Sequence, residues 1–99
     1  MTDNRELQIP PAASADAGSV EVLRAWVADE GLHVSMRQAF DDPGTWGVLL
    51  VDLARHAARA MAAEKVCTEA EALRAIREIF DAEWDNVTDI GTTQPMRKQ

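Results

Sequence analysis

Cysteine is nearly missing from this sequence. Cys67 is the only one, so no intrachain disulfide can form, and no zinc site built on cysteine pairs exists. A reactive thiol would need a cationic neighbour, and none is evident, so Cys67 reads as a small, partly buried apolar group. Basic residues are also scarce: ten Lys and Arg stand against seventeen Asp and Glu, for a formal net charge of −7. A nucleic-acid binder needs a basic face that releases counterions, and an anionic bilayer repels an acidic surface, so neither partner is expected. Long hydrophobic runs are absent as well. The longest wholly uncharged apolar run, "WGVLLV", is far too short to span a bilayer. The opening "MTDNRELQIPPAASADAG" has no basic segment followed by an apolar one, so no signal peptide is read there, and a cytoplasmic address is the expectation.

What is present is an ordinary globular composition, 46% hydrophobic and 27% charged, over 99 residues, which allows one domain at most. Residues 1–19 show no hydrophobic period and carry Pro10, Pro11 and Gly18; they read as a flexible N-terminal arm. Residues 88–99, "TDIGTTQPMRKQ", read as a flexible C-terminal tail. The ordered part is then a single small domain over residues 20–87, near the size at which one core is marginal.

The stretch "VEVLRAWVADEGLHVSMRQAF" predicts a β-hairpin, because Leu32, Val34 and Met36 alternate with His33, Ser35 and Arg37. Two registers are open. A three-residue loop with Gly31 at positive φ sets Trp26 opposite Val34 and Arg24 opposite Met36. The apolar face is then Val22, Trp26, Val34 and Met36, with Leu23, Ala25 and Val27 on the other side. A two-residue loop would strain Glu30, which must take positive φ, and its pairing of Val27 with Val34 sets Arg24 against Arg37, two like charges. The first register is favoured. Either way the first strand is apolar on both faces. A half-buried strand should not be, so something must cover its second face or edge: the chain's own helices, or the same hairpin from a second copy.

Two helices follow. In "DDPGTWGVLLVDLARHAARAMAAEK", Asp42 suits the N-cap and Pro43 the first helical position. Trp46, Leu49, Leu50, Leu53, Ala57, Ala60 and Met61 form an apolar stripe. Gly47, Ala54 and Ala58 leave low relief where another backbone could approach. "TEAE" then signals a capping box from Thr68 to Glu71. The second helix presents Leu73, Ile76, Phe80 and Trp84 on one side and is strongly acidic on the other. The short loop makes the helices antiparallel. The predicted fold is therefore α+β, a β-hairpin followed by two antiparallel helices in the order ββαα. The helices are expected to pack on one sheet face, and a dimer partner could complete the sheet.

The residues that could carry chemistry lie in "DLARHAARAM". On a helix, Asp52, Arg55, His56 and Arg59 share one stripe. Asp52 could orient the His56 imidazole for acid–base work, but no nucleophile, oxyanion loop or nucleophile elbow accompanies it. His33, His56 and Asp52 make no closed metal set, and no glycine-rich phosphate loop is present. No catalytic residue, metal site or cofactor is therefore assigned. An anion or small-ligand site would draw on His33, Arg37, Asp52, Arg55, His56 and Arg59. The bland reading is that the arginines pair locally and lay their stems on apolar surface. Trp26, with Val22 and Arg24, is a candidate interface anchor, since tryptophan is over-represented at interface hot spots.

"EVLRAWVADEGLHVSM" followed by "WGVLLVDLARHAARAM" resembles a group of short bacterial proteins known as domain of unknown function 5076, over about residues 20–64. The resemblance implies a small cytoplasmic α+β protein with no assigned substrate or cofactor, and it transfers no site residue. The expected function is a homodimeric protein-interaction module, open to a further protein partner. The alternative is a small-molecule or anion-binding protein, or a minor enzyme, using the Asp52–Arg59 stripe. A third possibility is that the acidic second helix docks on a basic partner.

Overall fold

A computed structural model describes residues 5–88 and 91–96. The elements run α1 (Pro11–Ala15), β1 (Leu23–Ala28), β2 (Gly31–Arg37), α2 (Pro43–Ala63), α3 (Glu69–Trp84) and β3 (Thr92–Met96). The class is α+β, and the hairpin-then-two-helices order holds, with a third strand after the helices. The three strands form one sheet in the order β1-β2-β3, with β1 antiparallel and β3 parallel to β2.

The helix boundaries follow from local chemistry. Asp42 caps α2, accepting from the Gly44 N–H at 2.8 Å, with Pro43 where its missing N–H costs nothing. At the other end Lys65 takes φ 61°, Val66 N–H donates to the Met61 carbonyl at 3.0 Å, and Lys65 N–H donates to Ala62 at 3.0 Å. That is a Schellman stop with lysine at a position that favours glycine. The α3 capping box is complete. Thr68 Oγ1 accepts from Glu71 N–H at 3.1 Å, and Glu71 Oε1 accepts from Thr68 N–H at 2.9 Å. The helices contact each other through small residues. Ala58 on α2 and Ala72 on α3 are the two buried hydrophobic residues among those described.

The hairpin corrects the sequence reading. Its loop is the two-residue kind, with Asp29 at φ 50° and Glu30 at φ 62°, as a type I′ turn requires. The register differs from both pairings inferred from the sequence: Leu23 lies opposite Met36, Arg24 opposite Ser35, Ala25 opposite Val34 and Trp26 opposite His33. This pairing sorts the faces better than either alternative. Leu23, Ala25, Val27, Leu32, Val34 and Met36 now share one side. Trp26, His33, Ser35 and the arginines share the other, and no like charges face each other. Sorting six apolar residues onto one face outweighs the strain of positive φ at Glu30.

Two further expectations change. Residues 92–96 are not loose tail: they form β3 along β2, with Thr92 beside His33 and Pro95 beside Met36. Proline is tolerated because β3 is an edge strand. The second change concerns packing. A parallel pair needs a crossover, and here α2 and α3 supply it between β2 and β3. Such helices normally cover a sheet face, but among the described residues no Cα of α2 or α3 comes within 8 Å of a strand. The helix pair and the sheet are therefore not in close backbone contact, and both keep apolar side chains exposed, Val27 and Leu32 on the sheet and Leu50, Phe80 and Trp84 on the helices.

Candidate functional site

The Asp52, Arg55, His56 and Arg59 stripe lies on the exposed side of α2. Among the described residues none of these four side chains makes a hydrogen bond or an ion pair, so the expected local pairing is not formed. No hydrogen bond or ion pair among the described residues joins them to His33 or Arg37, and no Cα of α2 lies within 8 Å of β2.

His33 and Arg37 are already engaged. His33 Nε2 lies 3.0 Å from the Ala28 carbonyl, which can only accept, so that nitrogen carries the proton. Nδ1 lies 2.7 Å from the Thr92 hydroxyl, a group that can donate or accept. The ring ties β3 to the turn end of the hairpin. Arg37 Nε donates to the Glu21 carbonyl at 2.9 Å, and the Arg37 N–H donates to the Val22 carbonyl at 2.9 Å. Both residues hold the sheet together and leave no convergent anion site.

The three candidate interface residues take different roles. Arg24 is an internal anchor: it pairs with Glu6 at 2.7 Å and with Glu21 at 3.2 Å, fastening the N-terminal segment to β1. The Glu21 carboxylate, and secondarily Glu6, hold the Arg24 guanidinium above its usual range. The groups are exposed, so solvent screens both pairs and they add little to stability. Trp26 and Val22 are half-buried, and Trp26 lines a shallow groove between β1 and the N-terminal segment, beside Leu7 and Ile9.

A second groove, more apolar in its lining, lies away from every candidate site residue except Arg55. A groove runs between α2 and α3, lined by Gly47, Leu50, Val51, Ala54, Leu73, Ile76, Phe80 and Trp84. Arg55, Arg77 and Asp81 border it, and Arg77 Nε pairs with Asp81 Oδ2 at 3.0 Å. The Phe80 and Trp84 rings stack one turn apart, with centroids 5.4 Å apart. The signal in the sequence that could have found this groove is the breadth of the α2 stripe: Trp46 to Met61 covers more of the helix than a single neighbouring helix can bury. The apolar side of the sheet is equally open, with Val27 85% exposed and Leu32 47%.

Among the described residues no group of three His, Cys, Asp or Glu side chains is placed to hold a metal ion. No described helix is long and apolar enough to cross a membrane.

These features define a small α+β protein with exposed apolar side chains on both its sheet and its helix pair. The profile of the family "Domain of unknown function (DUF5076)" matches residues 6–88, and the chain belongs to that family. It is also similar to a solved structure described as a "putative pyruvate dehydrogenase" from the photosynthetic bacterium Rhodopseudomonas palustrus CGA009. The two are 47% identical, with a TM-score of 0.73, over 97% of this chain and 99% of that one. No curated protein matches the chain.

Proposed function

We propose that this chain is a homodimeric protein-interaction module without catalytic activity of its own. The observation that carries the reading is the amount of surface left open. The chain exposes 8655 Å², against about 5,600 Å² for a folded monomer of its mass. The nine residues outside the described set account for at most about 1,400 Å² of the difference, at the ~160 Å² per residue of extended chain. The remaining excess of about 1,600 Å² is roughly twice what one partner contributes to a standard protein–protein interface. The radius of gyration, 15.3 Å, likewise exceeds the ~13 Å of a compact domain of this length. Val27, Leu32, Leu50, Val51, Phe80 and Trp84 contribute to this open surface, and monomeric proteins rarely leave apolar faces of that extent in water.

The experiment is mass in solution by light scattering behind a sizing column, over a wide dilution range. The expected result is a particle of twice 10.9 kDa that persists on dilution. A monomer at every concentration would overturn the reading.

A second reading rests on Arg55, which borders the groove, and on the name of the R. palustrus protein. A small 2-keto acid such as pyruvate would meet this guanidinium at the rim. Thermal melts with pyruvate and with phosphate, on wild type, Arg55→Ala and His56→Ala, test it. A ligand-dependent rise in Tm, lost in the variants, would favour this reading. The homodimer reading expects no shift in any of the three proteins.

A further inference from the structure

The chain carries two apolar faces that fit one another in kind but do not meet. One is the sheet side of Leu23, Val27, Leu32, Val34 and Met36. The other is the α2–α3 groove, where Leu50, Phe80 and Trp84 stand open. Both lie on the same β2–αα–β3 crossover, whose helices would ordinarily cover the sheet they connect. Here they do not approach it. Resting on the homodimer reading above, we infer that the groove of each copy seats on the apolar sheet face of the other, in a reciprocal two-fold exchange.

Three features favour a second copy as the occupant. A two-fold interface must be self-complementary, and a surface made of one helix face and one sheet face satisfies that twice over. Among the described residues no Cα of the helix pair lies within 8 Å of the strands, and exposed apolar side chains stand on both units, so both faces are presented to a partner. The area agrees as well: the excess of about 1,600 Å² per chain, which also contains the exposed residues 5–20, leaves room for the ~800 Å² per partner of a standard interface. Gly47 adds a local indication. A Cβ built there meets no atom within 4 Å, so a residue that weakens a helix interior has no packing role inside its own chain. In the exchanged dimer its low relief admits the partner's strands.

The test uses full-length protein with Cys67→Ser, so that introduced thiols react alone. Val27→Cys marks the rim of the sheet face and Trp84→Cys the rim of the groove, the two being 85% and 67% exposed in a single chain. The single variants are co-expressed, the double variant is made separately, and all are treated with a short bismaleimide after light scattering has fixed their mass. The exchange predicts a cross-linked heterodimer from the co-expressed singles and a covalent dimer from the double variant. Two results would overturn it while leaving the dimer standing. One is linkage only between like positions, sheet to sheet or groove to groove. The other is a double variant linked within one chain. A monomeric mass before cross-linking would sink the homodimer reading itself, so the two failures are told apart. If Val27→Cys or Trp84→Cys alters the mass, Leu32→Cys on the sheet face and Val51→Cys in the groove replace them at exposed positions.

Discussion

The helix pair and the sheet are both amphipathic, and they differ in how far each has been finished. Between α2 and α3 the contact is closed. Ala58 and Ala72 are buried, both N-termini are capped, and α2 ends in a Schellman turn. The sheet has cleaner sorting of its faces but no cover: Val34 and Met36 are half-buried, and Val27 at the turn is almost fully exposed. Helix ends are completed by groups a few residues away. A sheet face is completed only by another layer, and that layer is not supplied by this chain's own helices. The proposed dimer would finish both at once.

The comparison can be broken most sharply on the sheet. Val34→Asp puts a carboxylate on the apolar face and should cost about 3 kcal/mol, with loss of the dimer, by urea unfolding and light scattering. Ser35→Asp, one residue along on the opposite face and beside Arg24, should stay within about 0.5 kcal/mol. Equal damage from both would mean that the two faces are not different.

On the helix side, Ala58→Leu forces volume into the fully buried position of α2. It should destabilise by about 1–3 kcal/mol in the same unfolding experiment. Thr68→Ala removes the N-cap of α3 and should cost about 1 kcal/mol, read as lost helicity on heating.

Two stabilising changes sharpen the picture of local strain. Glu30→Gly and Lys65→Gly each place glycine where φ is positive, and each should raise stability by about 0.5–1 kcal/mol. If Glu30→Gly gave no gain, the type I′ turn would not be the conformation in solution.

The smallest expected effect is on pH dependence. The Thr68 N–H, and secondarily the Thr68 hydroxyl, hold the Glu71 carboxyl below its ordinary range. A carboxylate with a lowered folded pKa contributes stability that is fully present above the unfolded value and is lost as pH falls through the folded one. Wild type should therefore exceed Glu71→Gln in Tm at neutral pH, and the gap should close as the pH falls below the ordinary glutamate range. A gap that widened on acidification would contradict the capping box.

Much of the helical half is legible in the sequence. Asp42–Pro43, the Thr68–Glu71 box and the apolar stripes are signals spanning a few residues, and all of them are present in the folded chain. The Asp52–Arg59 stripe likewise falls on one exposed helix face. Its local pairing does not form, because exposed side chains at those spacings gain too little to hold each other. The hairpin is legible as a hairpin, and its register is not. The strain at Glu30 is visible in the turn, whereas the gain from gathering Leu23, Ala25, Val27, Leu32, Val34 and Met36 emerges only when all six pairings are compared together.

By itself, then, the sequence determined the acidic charge, the two capped helices, the hairpin and the membership of the family, because each rests on composition or on neighbours close along the chain. Tertiary structure alone decided that residues 92–96 join β2, that His33 meets Thr92, and that no Cα of the helices comes within 8 Å of a strand among the described residues. These depend on contacts between segments far apart in sequence, whose favourable energy no local pattern records.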